Sequence, residues 1–348
     1  MPQTCRSALL AACVLTAACD GPDRVTATPA PRAPNAPSAD VSLPPPIGIA
    51  PGYVLTDISG GVRSSATDID VHGWVVGSRG AAGHEHGFIR HADGTVEDIP
   101  PLPGDVSTVA TGINDDGQVV GTSTAPNGST RAWFKAPLDA IRVLWDAQCN
   151  GDTDANAIDN EGAIAGRCAH MPTYWPTYHD FPSVVYNAPG STTDVGGIEP
   201  VGYVVQPNGT RVAIADGHYG VVFPPMPSGT TSSWITGTNG SHAIVGGYTI
   251  GGVDRGFFAP SLGSAVQRLL HVAYGISGQG RMVGWYVSIP AVAYTIAPNE
   301  IAETPLPPTN LDRAAVRVNH CGSIVGWYFP SGLQGGPRAA LWKKPTCD

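Results

Sequence analysis

The chain has 348 residues, with 44 glycines, 33 prolines and only 14% charged residues. That composition suits many short strands joined by turns, and it excludes long helices and coiled coils. The formal charge of −9 is not offset by any basic block, which excludes a nucleic-acid backbone as partner.

Residues 1–19 read as an export leader. Arg6 supplies a positive charge, the stretch from Ala8 to Ala17 is apolar, and Thr16-Ala-Ala-Cys19 resembles a lipobox,. Cys19 is then the lipidated first residue, and the expected location is the bacterial cell envelope, held at the membrane by lipid alone. The apolar run is shorter than the ~20 residues of a membrane span. Residues 20–52 are rich in Pro and Ala and include Pro44-Pro45-Pro46. Such a segment buries too little apolar surface to offset its ordering entropy, so a disordered tether is expected. A single domain then spans 53–348.

Within that domain one stretch recurs. Ala110-Thr-Gly-Ile-Asn-Asp-Asp-Gly-Gln-Val-Val-Gly121 reads as strand, tight turn, strand: Asn and Asp form local turns, Gly accepts positive φ, and the flanks are β-branched,. Imperfect copies close on Gly77, Gly121, Gly166, Gly202, Gly246, Gly284 and Gly326. A spacing of about forty residues is that of a propeller blade. A short apolar strand, mostly led by a basic residue, follows each glycine: His86-Gly-Phe-Ile89, Arg131-Ala-Trp-Phe134, Arg211-Val-Ala-Ile214, Arg255-Gly-Phe-Phe258, Ala291-Val-Ala-Tyr294 and Arg338-Ala-Ala-Leu341. The third unit offers only Val184-Val185-Tyr186. Val96-Glu-Asp-Ile99 supplies the clearest fourth strand. The unit is therefore a four-stranded antiparallel meander, labelled a to d from the axis outward.

These residues resemble the HAF repeat of bacterial extracellular proteins, best at 110–121 with 131–134 and at 66–77 with 86–89. The resemblance covers roughly residues 53–343. It implies an exported repeat protein with a propeller fold, and it carries no catalytic residues to this chain.

The last unit lacks a fourth strand, and Tyr53-Val-Leu-Thr-Asp-Ile58 precedes the first a strand. The expected fold is all-β: a seven-bladed β-propeller whose N-terminal strand completes the last blade and removes an exposed edge. Beyond the leader, Cys19 aside, four cysteines remain. Two disulfides allow three connectivities. The meander puts Cys149 and Cys168 at one end of the third blade, and Cys321 beside Cys347 at the C-terminus. The pairs Cys149–Cys168 and Cys321–Cys347 follow.

The longest b–c insertion is placed at residues 170–181. It brings Tyr174, Trp175, Tyr178, His179 and Asp180 onto one loop, a mixture suited to carbohydrate or peptide contact. His84-Glu85-His86 has metal-ligand chemistry, but His86 occupies the recurring basic position, so a structural role is simpler. Asn114-Asp115-Asp116 and Asp159-Asn160-Glu161 match turn chemistry rather than a calcium loop. No Gly-x-Ser-x-Gly elbow, phosphate-binding loop or dinucleotide fingerprint occurs. The expectation is a monomeric binding module for an envelope or extracellular glycan or protein, with no metal and no cofactor. The alternative is a propeller hydrolase or lyase acting on a glycan or other polymer, marked by converging carboxylates or a His–carboxylate pair.

Overall fold

A computed structural model describes residues 48–144, 151–158, 160, 162, 164–168, 171–175, 183–184, 202–205, 211–215, 218–222, 226–239, 243–261, 264–288, 290–330 and 336–343. Cys19, residues 20–47, Cys149, Tyr178, His179, Asp180, residues 195–201 and Cys347 lie outside them.

The described residues contain strands and turns and no helix. After β1 (Val54–Asp57), the first sheet holds β2 (Ser64–Ile69), β3 (Val75–Ala81), β4 (His84–Arg90) and β5 (Val96–Ile99). The second holds β6 (Ser107–Ile113), β7 (Val119–Thr124), β8 (Thr130–Lys135) and β9 (Arg142–Val143). The third holds β10 (Thr153–Ile158), β11 (Ile164–Cys168), β12 (Met171–Trp175) and β13 (Ser183–Val184). Three strands are described in the next sheet: β14 (Gly202–Val205), β15 (Arg211–Ala215) and β16 (His218–Val222). Then come β17 (Thr230–Thr238), β18 (Ile244–Ile250), β19 (Val253–Ala259) and β20 (Gln267–Leu269). A further sheet holds β21 (Ala273–Ile276), β22 (Met282–Tyr286), β23 (Val292–Ile296) and β24 (Thr304–Pro305). The last is built from β25 (Arg313–Val318), β26 (Ile324–Tyr328) and β27 (Arg338–Lys343), and β1 pairs antiparallel with β27, Val54 opposite Lys343. Consecutive sheets touch, their inner strands β2, β6 and β10 side by side, as are β17, β21, β25 and again β2.

One expectation is corrected. Residues 171–175 are not a b–c insertion but the third strand of the third sheet, and Ser183–Val184 is its fourth strand, with Tyr174 opposite Ser183. Trp175 is fully buried with Phe134, Leu144 and Ile164. Burying an indole there outweighs the weak strand propensity of a segment containing Pro172.

The hairpin turns repeat one device. Asp70, Asn114, Asn239, Ser277 and Asn319 each accept, through a side-chain oxygen, the amide of the residue four positions on: Trp74 (2.7 Å), Gln118 (2.9 Å), Ala243 (3.0 Å), Arg281 (3.0 Å) and Ser323 (2.9 Å). Gly117 takes the left-handed conformation that closes the turn, at φ 72°,. Asn114 and Asp115 are therefore turn residues. Asp115 also reaches across the sheets, accepting from Val71 N at 3.2 Å and from Asn160 Nδ2 at 2.7 Å.

A second device explains the glycine that ends each repeat. Each described inner strand carries a bulge one residue after its Ala66-like position: Ala66/Asp68, Ala110/Gly112, Ala155/Ala157, Ile235/Gly237, Ala273/Gly275 and Ala315/Arg317. The bulge presses a carbonyl onto the repeat glycine. A Cβ on Gly77 would stand 2.0 Å from Ser65 O, on Gly166 1.9 Å from Asp154 O, and on Gly326 2.0 Å from Ala314 O. The third-strand aromatic lies over the same spot, as Phe88 over Gly77, Trp133 over Gly121 and Phe257 over Gly246.

The bulged residue joins the sheets. The Thr67 hydroxyl is shared between Val76 O of its own sheet (3.1 Å) and Ala110 O of the next (2.7 Å). Thr111 does the same with Val120 O (3.2 Å) and Ala155 O (2.7 Å), and Thr236 with Val245 O (3.2 Å) and Ala273 O. The last sheet meets the first through Asn319 Nδ2, which donates to Asp70 O at 2.9 Å, and through Ala339 N, which donates to Ser64 Oγ at 3.0 Å.

Candidate functional site

The sheets differ most at one level: the residue just beyond the repeat glycine and its partner on the inner strand. Ser78 opposes Ser65 in the first sheet, Thr122 opposes Val109 in the second, and Arg167 opposes Asp154 in the third. In the later sheets indoles appear there. Trp234 opposes Gly247 and lies across it, so that a Cβ on Gly247 would sit 2.3 Å from the ring. Trp285 follows Gly284, and Trp327 follows Gly326 opposite Ala314.

Two of these positions, Trp285 and Trp327, belong to a continuous aromatic strip. Tyr274, the bulged residue of β21, stacks on Trp285 with ring centroids 5.9 Å apart and planes 20° apart. Trp285 meets Trp327 edge-on at 5.7 Å, and Trp327 meets Phe329 edge-on at 5.5 Å. All four rings are half-buried. The strip crosses from β21 and β22 to β26 and ends at the connection between β26 and β27. Tyr274 and Val316 stand where the bridging threonine stands elsewhere. Here the sheet junction is made instead by Arg317, whose Nη1 donates to Tyr274 O at 2.8 Å.

Asp154 and Arg167 form an ion pair on the inner strands of the third sheet, with Asp154 buried and the Arg167 side chain 26% exposed. His271 Nδ1 faces Glu303 Oε2 at 2.7 Å, and Glu303 Oε1 accepts the His271 amide at 2.8 Å. Tyr286 stacks on the imidazole at 3.9 Å. The Tyr294 hydroxyl, donating to His271 O at 3.1 Å, is pushed well above its ordinary value by burial and then by the Glu303 charge. The pair joins the connection that follows β20 to the start of β24. A carboxylate on Nδ1 is also the arrangement that orients a histidine for proton transfer at Nε2.

Of the residues expected on a binding loop, Trp175 is a core residue and Tyr174 is on β12; Tyr178, His179 and Asp180 lie outside the described residues. In the His84-Glu85-His86 segment on β4, Glu85 pairs with Arg63 at 3.4 Å. Among the described residues, no group of three or more His, Cys, Asp or Glu is placed to hold a metal. The basic residue that opens the third strand acts structurally: Arg131 grips Asp105 at 2.7 and 3.2 Å and also donates to Pro103 O at 3.1 Å. Cys168 and Cys321 are disulfide-bonded; their expected partners lie outside the described residues. In the sequence Trp285 and Trp327 look like ordinary strand residues next to a repeat glycine. Aligning the residues after those glycines exposes them.

No family model matches the chain, and no curated protein does. Among solved structures, a streptogramin B lyase aligns over 84% of this chain and 98% of its own, at 11% identity and a TM-score of 0.52. The fold is a β-propeller. Other propellers also align. They include the BP39L lectin of Burkholderia pseudomallei, at 9% identity and a TM-score of 0.40 over 84% of this chain and 98% of its own. At these identities the likeness concerns the propeller scaffold alone.

Proposed function

We propose that the protein is an envelope-anchored binding module: a lipid at Cys19, a tether over residues 20–52, and a seven-bladed HAF-repeat propeller completed by β1, with its ligand on the Tyr274–Trp285–Trp327–Phe329 strip. The observation that carries this reading is the strip itself. Four half-buried rings in contact occur where the repeats depart from their shared pattern. A repeated scaffold does not require them, since Ser78 and Thr122 serve at the matching positions of other sheets. Aromatic groups presented by a rigid scaffold are how binding sites are commonly built. The sheet contacts and the β1–β27 pairing support the closed ring. The test is a screen of the purified protein against glycans, peptides and envelope components, repeated with Trp285→Ala and Trp327→Ala. Binding that both substitutions weaken supports the assignment, and binding that neither changes removes the strip from it.

A propeller hydrolase or lyase is the second reading, and the His271–Glu303 pair is what favours it. Polymer cleavage lost in His271→Ala and kept in Trp285→Ala is the result that would replace the first reading by the second.

A further inference from the structure

We infer that the aromatic strip takes an uncharged saccharide chain. This rests on the strip being the binding surface, and three observations narrow its ligand. The first is the chemistry of its borders. The described residues of the connections after Trp285 (287, 288, 290 and 291) and after Trp327 (329, 330, 336 and 337) include no ionisable side chain. The matching stretch of the first sheet, 80–85, holds His84 and Glu85, and that of the fifth unit, 249–254, holds Asp254.

The second is that charged groups near the strip are committed to the protein. Arg317 Nη1 donates to Tyr274 O and Val316 O, at 2.8 and 3.0 Å. Arg313 is fully buried, donating to Leu306 O and Leu311 O at 2.8 and 2.7 Å. The carboxylate of Asp312 accepts the Ala291 amide at 2.6 Å. With a formal charge of −9 over the whole chain, a polyanion would meet repulsion without a matching cation on the strip.

The third is spacing. Successive ring centroids lie 5.5 to 5.9 Å apart. A polyproline peptide returns to the same face only every third residue, roughly 9 Å at ~3.1 Å per residue. The rings are closer to the length of one pyranose unit, whose C–H face packs on an aromatic ring while its hydroxyls stay in water. A neutral sugar chain is both uncharged and of suitable pitch.

The experiment is affinity electrophoresis of the full exported protein through gels containing neutral polysaccharides (a β-glucan, a xylan, a mannan), an acidic polysaccharide (polygalacturonate), and none. Tryptophan emission is followed in parallel on titration with the same polymers and with a proline-rich peptide. The expected result is retardation by at least one neutral polysaccharide, unchanged between low and molar salt. Trp285→Ala with Trp327→Ala weakens it at least about tenfold, while the paired Trp→Phe variant keeps most of it. The Phe variant and a thermal melt separate loss of the ring from loss of the fold. Binding only to polygalacturonate, or only to the proline-rich peptide, with the same sensitivity to the Ala pair overturns the neutral saccharide and leaves the strip as a binding surface. Retardation by a neutral polysaccharide that ignores the Ala pair overturns it by placing the site elsewhere. Absence of any retardation overturns it too, and the binding-module reading falls as well only if the wider screen of proteins and envelope components is also empty.

Discussion

A Cβ on Gly121 would stand 2.1 Å from the carbonyl oxygen of Val109. The clash is with backbone, and Trp133 Cζ2 closes the same space at 2.3 Å. Neither neighbour can rotate away as a flexible side chain would. Gly121→Ala should therefore destabilise the domain by about 2 kcal/mol or more, in the range of overpacked cores. A solvent-exposed glycine such as Gly128, with nothing within 4 Å of its Cβ position, gives the control for backbone strain alone at φ 87°. Denaturant melts of the two variants check the difference; equal losses would remove the carbonyl contact as the cause.

The period, the turns and the strand content were legible because they rest on local chemistry. Asn114 accepts the Gln118 amide and Gly117 takes positive φ within one hairpin, so no distant residue is needed to read them. The bulge at Thr111 was not legible. Its hydroxyl is aimed at Ala155 O, 44 positions along the chain, and only the packing of one sheet on another reveals that use. The third sheet failed for a related reason. Met171–Trp175 looks like loop with Pro172 in it, and its place is decided by the burial of Trp175 among residues of two sheets. The candidate strip is intermediate: Trp285 and Trp327 were in plain view, but their contact joins two repeats.

Thr111→Val keeps the shape of the side chain and removes the hydroxyl donated to Ala155 O. The expected cost is ~1 to 2 kcal/mol, since a buried carbonyl loses its cross-sheet partner. Chemical denaturation of this variant beside Thr130→Val compares a bridging threonine with one at the start of β8. Losses of the same size in both would show that the bridge adds nothing specific.

Asp57 links β1 to the last sheet and predicts an acid dependence. Burial pushes its carboxyl up, but hydrogen bonds from Ser59, Tyr328 and Arg338 outweigh this and hold it below the ordinary value. Tyr328 Oη donates to Asp57 Oδ2 at 2.9 Å, and Arg338 Nη1 lies 3.3 Å from the same oxygen. With the folded value depressed, the contribution is full above the unfolded value of about 3.9 and is lost as pH falls through the folded one. Thermal melts of Asp57→Asn should show a lower Tm than the parent at neutral pH and a gap that narrows as pH falls below the ordinary carboxylate value. A gap that persists unchanged into acid would contradict the ionic role.

Non-reducing peptide mapping should link residue 149 to residue 168 and residue 321 to residue 347. Cys168 ends β11, whereas Cys321 lies in the turn between β25 and β26. A cross-link from 149 to 321 would break the assignment of each pair to a single blade.

If Cys19 carries the proposed lipid, Cys19→Ser should abolish lipid processing, read as loss of a globomycin-sensitive mass shift and release from membranes by washing. An unchanged processed species would remove the lipid anchor from the proposal.

The pairing of β1 with β27 has a consequence for assembly. Asp57 and Tyr328 meet across 271 positions of chain, and Tyr53 reaches Gly322 O across 269. Their contact closes a loop of nearly the whole domain, whose entropic cost must be met before the last sheet gains anything from it. The earlier hairpins can form as they are synthesised, but the last sheet stays short of a strand until Arg338–Lys343 has been made. A polypeptide that finishes folding only when its two ends meet remains threadable until that moment, which suits the export proposed above.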